Sequence, residues 1–563
     1  MKISTKFSVF LLAAISFTSL NSCKKTFDIS PENAIDSKEV YQNIYDADAA
    51  VLGIYGQFLS IAKQYEILNE LRADLMDVTV NADEHLRELN TNNISANNPY
   101  IDPKPYYAII ANCNDVLKNL KDMYDTKKIS ESNYQQRYSD IGALRTWLYF
   151  QLAIHYGEIP YVTEPIVNIY DVKDESKFPK KKLDELVPEL ITYMESLPYL
   201  QPYADASSLI SQIDGYPSKM IFINKNLLLG DMYLWINQYN KAATYYKYVL
   251  ETTTPLGEGA PSGAYWNFYS GSSGGDNDAA TPSAWQTFFS RSPQDNQYQW
   301  EWLWTMYFDK NYQPQNPFID LFSNSGGRYL VKPSQNAIDN WNSQVQSDGT
   351  PSDLRGADNS YKIINGQPVI MKFLYNYLNA TSGLPANVLE KNGKWFLYRT
   401  SLLHLRFAEA ANRDGETKIA YALLNNGIKG TYNDLTKPAE VDRRITNLKF
   451  PYDFDARKLD APRIRGKYHR TLGLRSRVAT TNLDAGLQDN SEMMKMEDAI
   501  VNESALELAY EGNRWQDLVR ITLRREKEAA GTGFDFINTK LKAKTSASKQ
   551  ITKKEDLFLP FKF

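Results

Sequence analysis

Cysteine and histidine are nearly missing from this chain. Cys23 and Cys113 are the only cysteines among 563 residues, so no disulfide framework can staple the fold. The four histidines (His85, His155, His404, His469) show no His-Glu-x-x-His arrangement and no close metal spacing, which removes the common zinc centres. A positive excess is missing as well: 63 basic against 67 acidic side chains give −4, so nucleic acid is not an expected partner. Beyond the amino terminus no apolar run approaches the length of a membrane span. Phosphate-cradling glycine loops are absent too. Gly271-Ser-Ser-Gly-Gly275 formally satisfies G-x-S-x-G, but no strand precedes it and no helix follows, so it reads as loop. Paired carboxylates for glycosidic cleavage stay open, because sequence does not give their separation.

What is present begins at the amino terminus. Lys2 and Lys6 precede an apolar run from Phe7 to Phe17, too short to cross a bilayer and suited to a secretory signal. Leu20-Asn21-Ser22-Cys23 follows, the pattern of a lipoprotein cleavage site. We therefore expect residues 1–22 to be removed and Cys23 to carry a diacylglycerol, with a second acyl chain making the anchor stable. Cys113, within YYAIIANCNDVL, reads as a buried, inert thiol on a helix face. Aromatic side chains are plentiful, with 38 Tyr and 10 Trp, and some of these rings are expected at the surface, where they suit ligand contact.

The strongest periodicity runs from Met220 to Leu250. Leu229-Gly230, Tyr233, Tyr239, Ala242 and Tyr246 fall at tetratricopeptide spacings, with small residues where two antiparallel helices cross closely. A second hairpin is expected over Tyr398 to Lys429, broken at Asp414-Gly415. A third is expected over Glu503 to Arg520, with Glu511-Gly512-Asn513 between its arms. Helices are also expected over Tyr106 to Leu120 and Tyr134 to Tyr156. Such hairpins must stack to bury their apolar faces. The fold class is therefore mainly α, a helical scaffold with long loop excursions at 257–283, 309–372 and 430–490.

Four stretches carry a family resemblance. Tyr106 to Leu120, Ala143 to Pro165 (ALRTWLYFQLAIHYGEIPYVTEP), His404 to Asn412 and Glu503 to Arg520 (ESALELAYEGNRWQDLVR) resemble, in order, the motifs of the SusD/RagB family. The resemblance implies a SusD-like fold with an N-terminal region over 23–280 and a C-terminal region over 281–563. It also implies a nonenzymatic lipoprotein of the outer membrane that sits as a lid on a SusC-like TonB-dependent transporter, facing outward. The acidic cluster that often accompanies surface export is replaced by Lys24-Lys25. Arg514, Trp515 and Asp517 read as packing, through a buried ion pair and an aromatic, rather than as a site.

Neutral sugars are gripped by flat rings with amide, carboxylate and guanidinium groups around them. Two regions offer such a set. Asp74, Asp77, Asn81 and Arg87 lie where a helix end is expected to run into a loop; a solvated helix terminus is the competing reading. Trp266 and Tyr269 sit in a Gly- and Ser-rich loop, and Tyr312 in a Gln/Asn/Pro loop. Trp300, Trp302 and Trp304 alternate and would share one face of a strand, as a packed core strand or a stacking platform. The resemblance favours the packed strand. No cofactor is expected; Asp276-Asn277-Asp278 could take calcium but lacks the ligand spacing of a dedicated site. Three functions are thus carried forward: an oligosaccharide captor, an oligopeptide captor on the same platform, and a glycoside hydrolase or repeat-based adaptor.

Overall fold

The computed structural model describes residues 40–166, 175–204, 206–251, 282–294, 301–433, 436, 444–457, 468 and 472–562. Helix α1, Ile44–Phe58, starts at Asn43, whose side chain accepts from the Tyr45 amide while Asp46 reaches back to the Asn43 amide. Its buried face presents Val51, Ile54, Tyr55 and Phe58, and the chain stays helical to Leu71. Strand β1, Met76–Val78, and helix α2, Glu84–Thr91, follow. The helical run thus ends at Leu71 and passes through a turn at 72–75, as expected, but the residues beyond it are divided among β1, loop 79–83 and α2.

Helices α3, Lys104–Asp125, and α4, Glu131–Tyr156, pack side by side where the sequence expects them. Helix α4 is buried on every face from Ser139 onward, so it is the central rod. Cys113 on α3 is fully buried, and burial raises its thiol pKa to about 12, which fits the inert reading. A short ribbon pairs β2, Glu158–Pro160, with β3, Lys180–Lys182, before α5, Leu183–Ser196.

The first expected hairpin is α6, Lys225–Trp235, against α7, Tyr239–Glu251. Gly230 is required here, since a Cβ would sit 2.4 Å from the Tyr246 ring. Tyr246 fills that space and donates to Asp231 at 2.6 Å. Helix α8, Pro282–Ser290, leads to β4, Trp302–Phe308. Strand β5, Val331–Pro333, pairs with β1, and β6, Gly393–Arg399, pairs antiparallel with β4. Trp302 and Trp304 are buried; Trp304 stacks on Phe58 at 5.5 Å and donates to the Ile221 carbonyl. These two tryptophans belong to the packed core. Trp300 lies outside the described residues.

Helices α9, Thr400–Arg413, and α10, Thr417–Leu424, form the second hairpin, and α11, Met493–Glu507, with α12, Arg514–Glu528, the third. Gly512, at φ +70°, makes the third turn and lies against Tyr65, whose ring would be 2.2 Å from a Cβ. The main apolar core runs from Tyr41 to Leu559 through both sequence regions, and a smaller cluster gathers around Trp515, Leu518 and Ile537. Among the described residues, strands occur only as two-stranded ribbons, so the frame is helical.

A buried ionic web ties the stack together. Arg355 engages Asp353, Glu503 and Glu507, while Arg399 joins Glu301 to Glu511. Arg475 and Arg477, in a stretch that reads from sequence as a basic loop, are buried and pair with Glu503 and Glu301. Such pairs add little over an apolar core, but each is costly to break singly.

Candidate ligand-binding surface

Loop 79–83 is built between β1 and α2. The Thr79 amide bonds to the Leu330 carbonyl, and Asp83 caps α2 by accepting from the Leu86 amide at 2.9 Å. Asn81 is exposed and reaches across the fold to donate to the Arg328 carbonyl at 3.0 Å. Arg87, also exposed, folds back onto the carbonyls of Thr79 and Val80 at 3.3 and 3.0 Å. These bonds fix the loop and leave Val80 91% exposed at its tip.

Around this loop the structure gathers groups that the sequence reading did not single out. Tyr100 donates to Asp83 at 3.1 Å, and Lys63 lies 5.7 Å above the Tyr100 ring. Arg328 pairs with Asp320 at 3.3 Å, the arginine exposed and the aspartate half-buried. Burial lowers the Lys63 pKa, and the nearby Arg328 cation lowers it further, against Asp320 and Asp83. One helical turn before Lys63, Leu59 lines a groove of about 270 Å³ whose lip carries Tyr312, Asp309 and Gln313. Tyr312 is 73% exposed. Two surface groups therefore flank this helix, Tyr312 at the groove beside Leu59 and, from Lys63 one turn on, Tyr100, the Arg328–Asp320 pair, Asn81 and Arg87; together they are termed the shelf.

The expected site residues thus divide. Asn81, Arg87 and Tyr312 reach the surface. Asp77 is half-buried and accepts from Asn90 and the Val78 amide, each at 2.8 Å, tying β1 to α2. Asp74 must be corrected. It is buried, both oxygens are taken by Arg514, and burial's upward push on its carboxyl is overcome by that guanidinium, which holds it below the usual range. Its place is in the frame. Trp266 and Tyr269, and the carboxylates of Asp276 and Asp278, lie outside the described residues. Among the described residues, no group of three or more His, Cys, Asp or Glu is placed to hold a metal ion.

Two cues could have found the missed residues. Tyr100 follows Asn98-Pro99, the same aromatic-in-a-turn pattern that marks Tyr312. Arg328 follows Gly326-Gly327, a turn so tight that a Cβ on Gly327 would lie 2.0 Å from the Ile319 carbonyl.

Comparison with known proteins bears on this frame. Residues 470–560 match the model of the SusD family. A crystal structure of a SusD superfamily protein from Bacteroides vulgatus superposes with a TM-score of 0.57 over 92% of this chain and 95% of that one, at 13% identity. The chain has the SusD fold. The surface glycan-binding protein A of Bacteroides uniformis gives 0.57 at 16% identity, over 91% of this chain and 95% of its own. The SusD-like protein P38 of Formosa agariphila is 21% identical over 252 residues, 43% of this chain and 45% of that relative, so the match spans less than half of P38.

The SusD-family match takes in α11, α12 and the closing turn that holds them. There Arg514, Trp515 and Asp517 do what the sequence suggests: Trp515 is buried under the Arg72 guanidinium at 3.9 Å, and Asp517 pairs with Arg406 and, at 3.0 Å, with Arg520. The shelf lies outside the matched segment. What the SusD match identifies is the frame.

Proposed function

We propose that the chain is a nonenzymatic, cell-surface lipoprotein that captures oligosaccharides and hands them to a SusC-like TonB-dependent outer-membrane transporter. The observation that carries the reading is the shelf itself. Tyr312 offers a bare ring face for the apolar side of a sugar, and Asn81, Arg87, Arg328 and Asp320 add surface donors and acceptors for hydroxyls. The SusD fold supports it, since relatives of that fold are described as glycan- or carbohydrate-binding proteins. Capture rather than cleavage is supported by the shelf's carboxylates. Asp83 caps a helix and accepts from Tyr100, Asp320 is paired with Arg328, and Asp309 accepts from the Asp214 and Asn311 amides, so each carboxylate is engaged by the fold itself.

Cys23, outside the described residues, would supply the tether. Anchoring concentrates the captor beside its transporter, so modest ligand affinity is enough. Titrating the soluble chain against a polysaccharide panel and a peptide digest tests the reading. Saccharide binding without turnover is expected. Binding confined to peptides would replace it with an oligopeptide captor, and turnover abolished by one carboxylate change would replace it with a hydrolase.

A further inference from the structure

A second cavity, whose lining begins at Lys104 four residues beyond Tyr100, has a different chemistry. It encloses about 1120 Å³ between the start of α3, the β2–β3 ribbon and the carboxy-terminal tail. That exceeds the usual ligand pocket of about 300–1,000 Å³. Its aromatic lining is Tyr107, Phe178 and Phe561, and its three charged liners are Lys104, Lys180 and Lys562. Among the described residues no acidic side chain lines it, although acids outnumber bases in the chain as a whole.

The aromatic part is held in place before any ligand arrives. Tyr107 donates to the Pro160 carbonyl at 2.7 Å, and Phe561 lies edge-on to Tyr107 and Tyr156. The tail is pinned by the Leu559 amide bonding to the His155 carbonyl at 2.8 Å. Lys180 lies over the Phe561 ring at 5.7 Å, which sets a cation at the edge of the apolar floor. All three lysines are exposed, so they can meet an anion without a large desolvation cost.

We infer that this chamber is a second saccharide site, selective for sugars carrying carboxylate or sulfate groups. Ring faces would rest on the aromatic floor, and the anionic substituents would meet the lysine rim. Charge complementarity chooses an anion. The choice of a saccharide over another amphiphilic anion rests on the proposed function.

The test is calorimetric titration of the mature chain with oligogalacturonate, sulfated galactan fragments and neutral galactan fragments of matched length. Wild type and the triple variant Lys104→Gln/Lys180→Gln/Lys562→Gln are compared, with Lys180→Glu carrying the test if the triple variant does not fold. The expected result is a loss of about tenfold in affinity for the anionic sugars, a flatter salt dependence, and unchanged neutral-sugar affinity and melting temperature. The two anionic arms tell which group the rim reads. Anionic affinity indifferent to the lysines would overturn the site while leaving the proposed function standing. So would a crystal structure in which residues 167–174 of the chain fill the chamber, or acidic peptides binding there in preference to sugars. Failure of every saccharide to bind wild type would overturn both.

Discussion

Arg514 grips the carboxylate of Asp74 through two parallel hydrogen bonds of 2.6 and 2.8 Å, both side chains buried, across a sequence separation of 440 residues. Breaking it from either side strands a charge in the core. Arg514→Ala or Asp74→Ala should therefore cost about 3–5 kcal/mol in denaturant unfolding. The double variant should cost less than the two single losses added together. Additive losses would show that the two groups do not depend on one another.

Acid should unfold the chain before it harms an exposed surface. Burial pushes the Glu507 carboxyl up, but the guanidiniums of Arg355, Arg399 and Arg477 overcome that and hold it down to about 2. A carboxylate lowered in the folded state adds stability above its unfolded pKa of about 4.3 and loses it as pH falls through the folded value. Denaturant midpoints should therefore decline progressively between about pH 5 and pH 2, by about 3 kcal/mol from this group alone. In Glu507→Gln that part of the decline should vanish, on a baseline already lowered at neutral pH.

The α6–α7 crossing should be intolerant of one methyl group. Gly230→Ala puts a Cβ into the Tyr246 ring and should cost about 1–3 kcal/mol through overpacking. Thermal melts should show Gly230→Ala/Tyr246→Leu recovering part of the loss, because the smaller side chain yields the space.

Trp304 and Tyr312 should behave oppositely. Trp304 is fully buried and stacked on Phe58, so Trp304→Ala should cost about 3–5 kcal/mol. Tyr312 is mostly exposed, and Tyr312→Ala should shift stability by no more than about 0.5 kcal/mol while weakening saccharide binding. Paired unfolding and binding curves separate the two roles.

The helical frame was legible because its rules are local. Gly230, Ala242 and Tyr246 sit within one hairpin, and Glu511-Gly512-Asn513 marks its own turn, so spacing alone placed both. The site was less legible because it is assembled from afar. Asn81 meets Arg328 across 247 positions, a juxtaposition that no periodicity records. Asp74 misled for a related reason: an aspartate near a helix end looks the same in sequence whether it faces solvent or a buried arginine 440 residues away. Arg475 and Arg477 were hidden likewise, since their acidic partners Glu503 and Glu301 stand on other segments.

The central claim is that the shelf between Tyr312 and Arg328 takes hold of an oligosaccharide. Calorimetric titration of the soluble chain with its best neutral oligosaccharide, repeated on Tyr312→Ala and Arg328→Ala, tests it most directly. Losing a stacking ring costs about 1–1.5 kcal/mol, so affinity should fall roughly tenfold in Tyr312→Ala, and by a similar factor in Arg328→Ala, with folding intact. Full wild-type affinity in both variants would contradict the account.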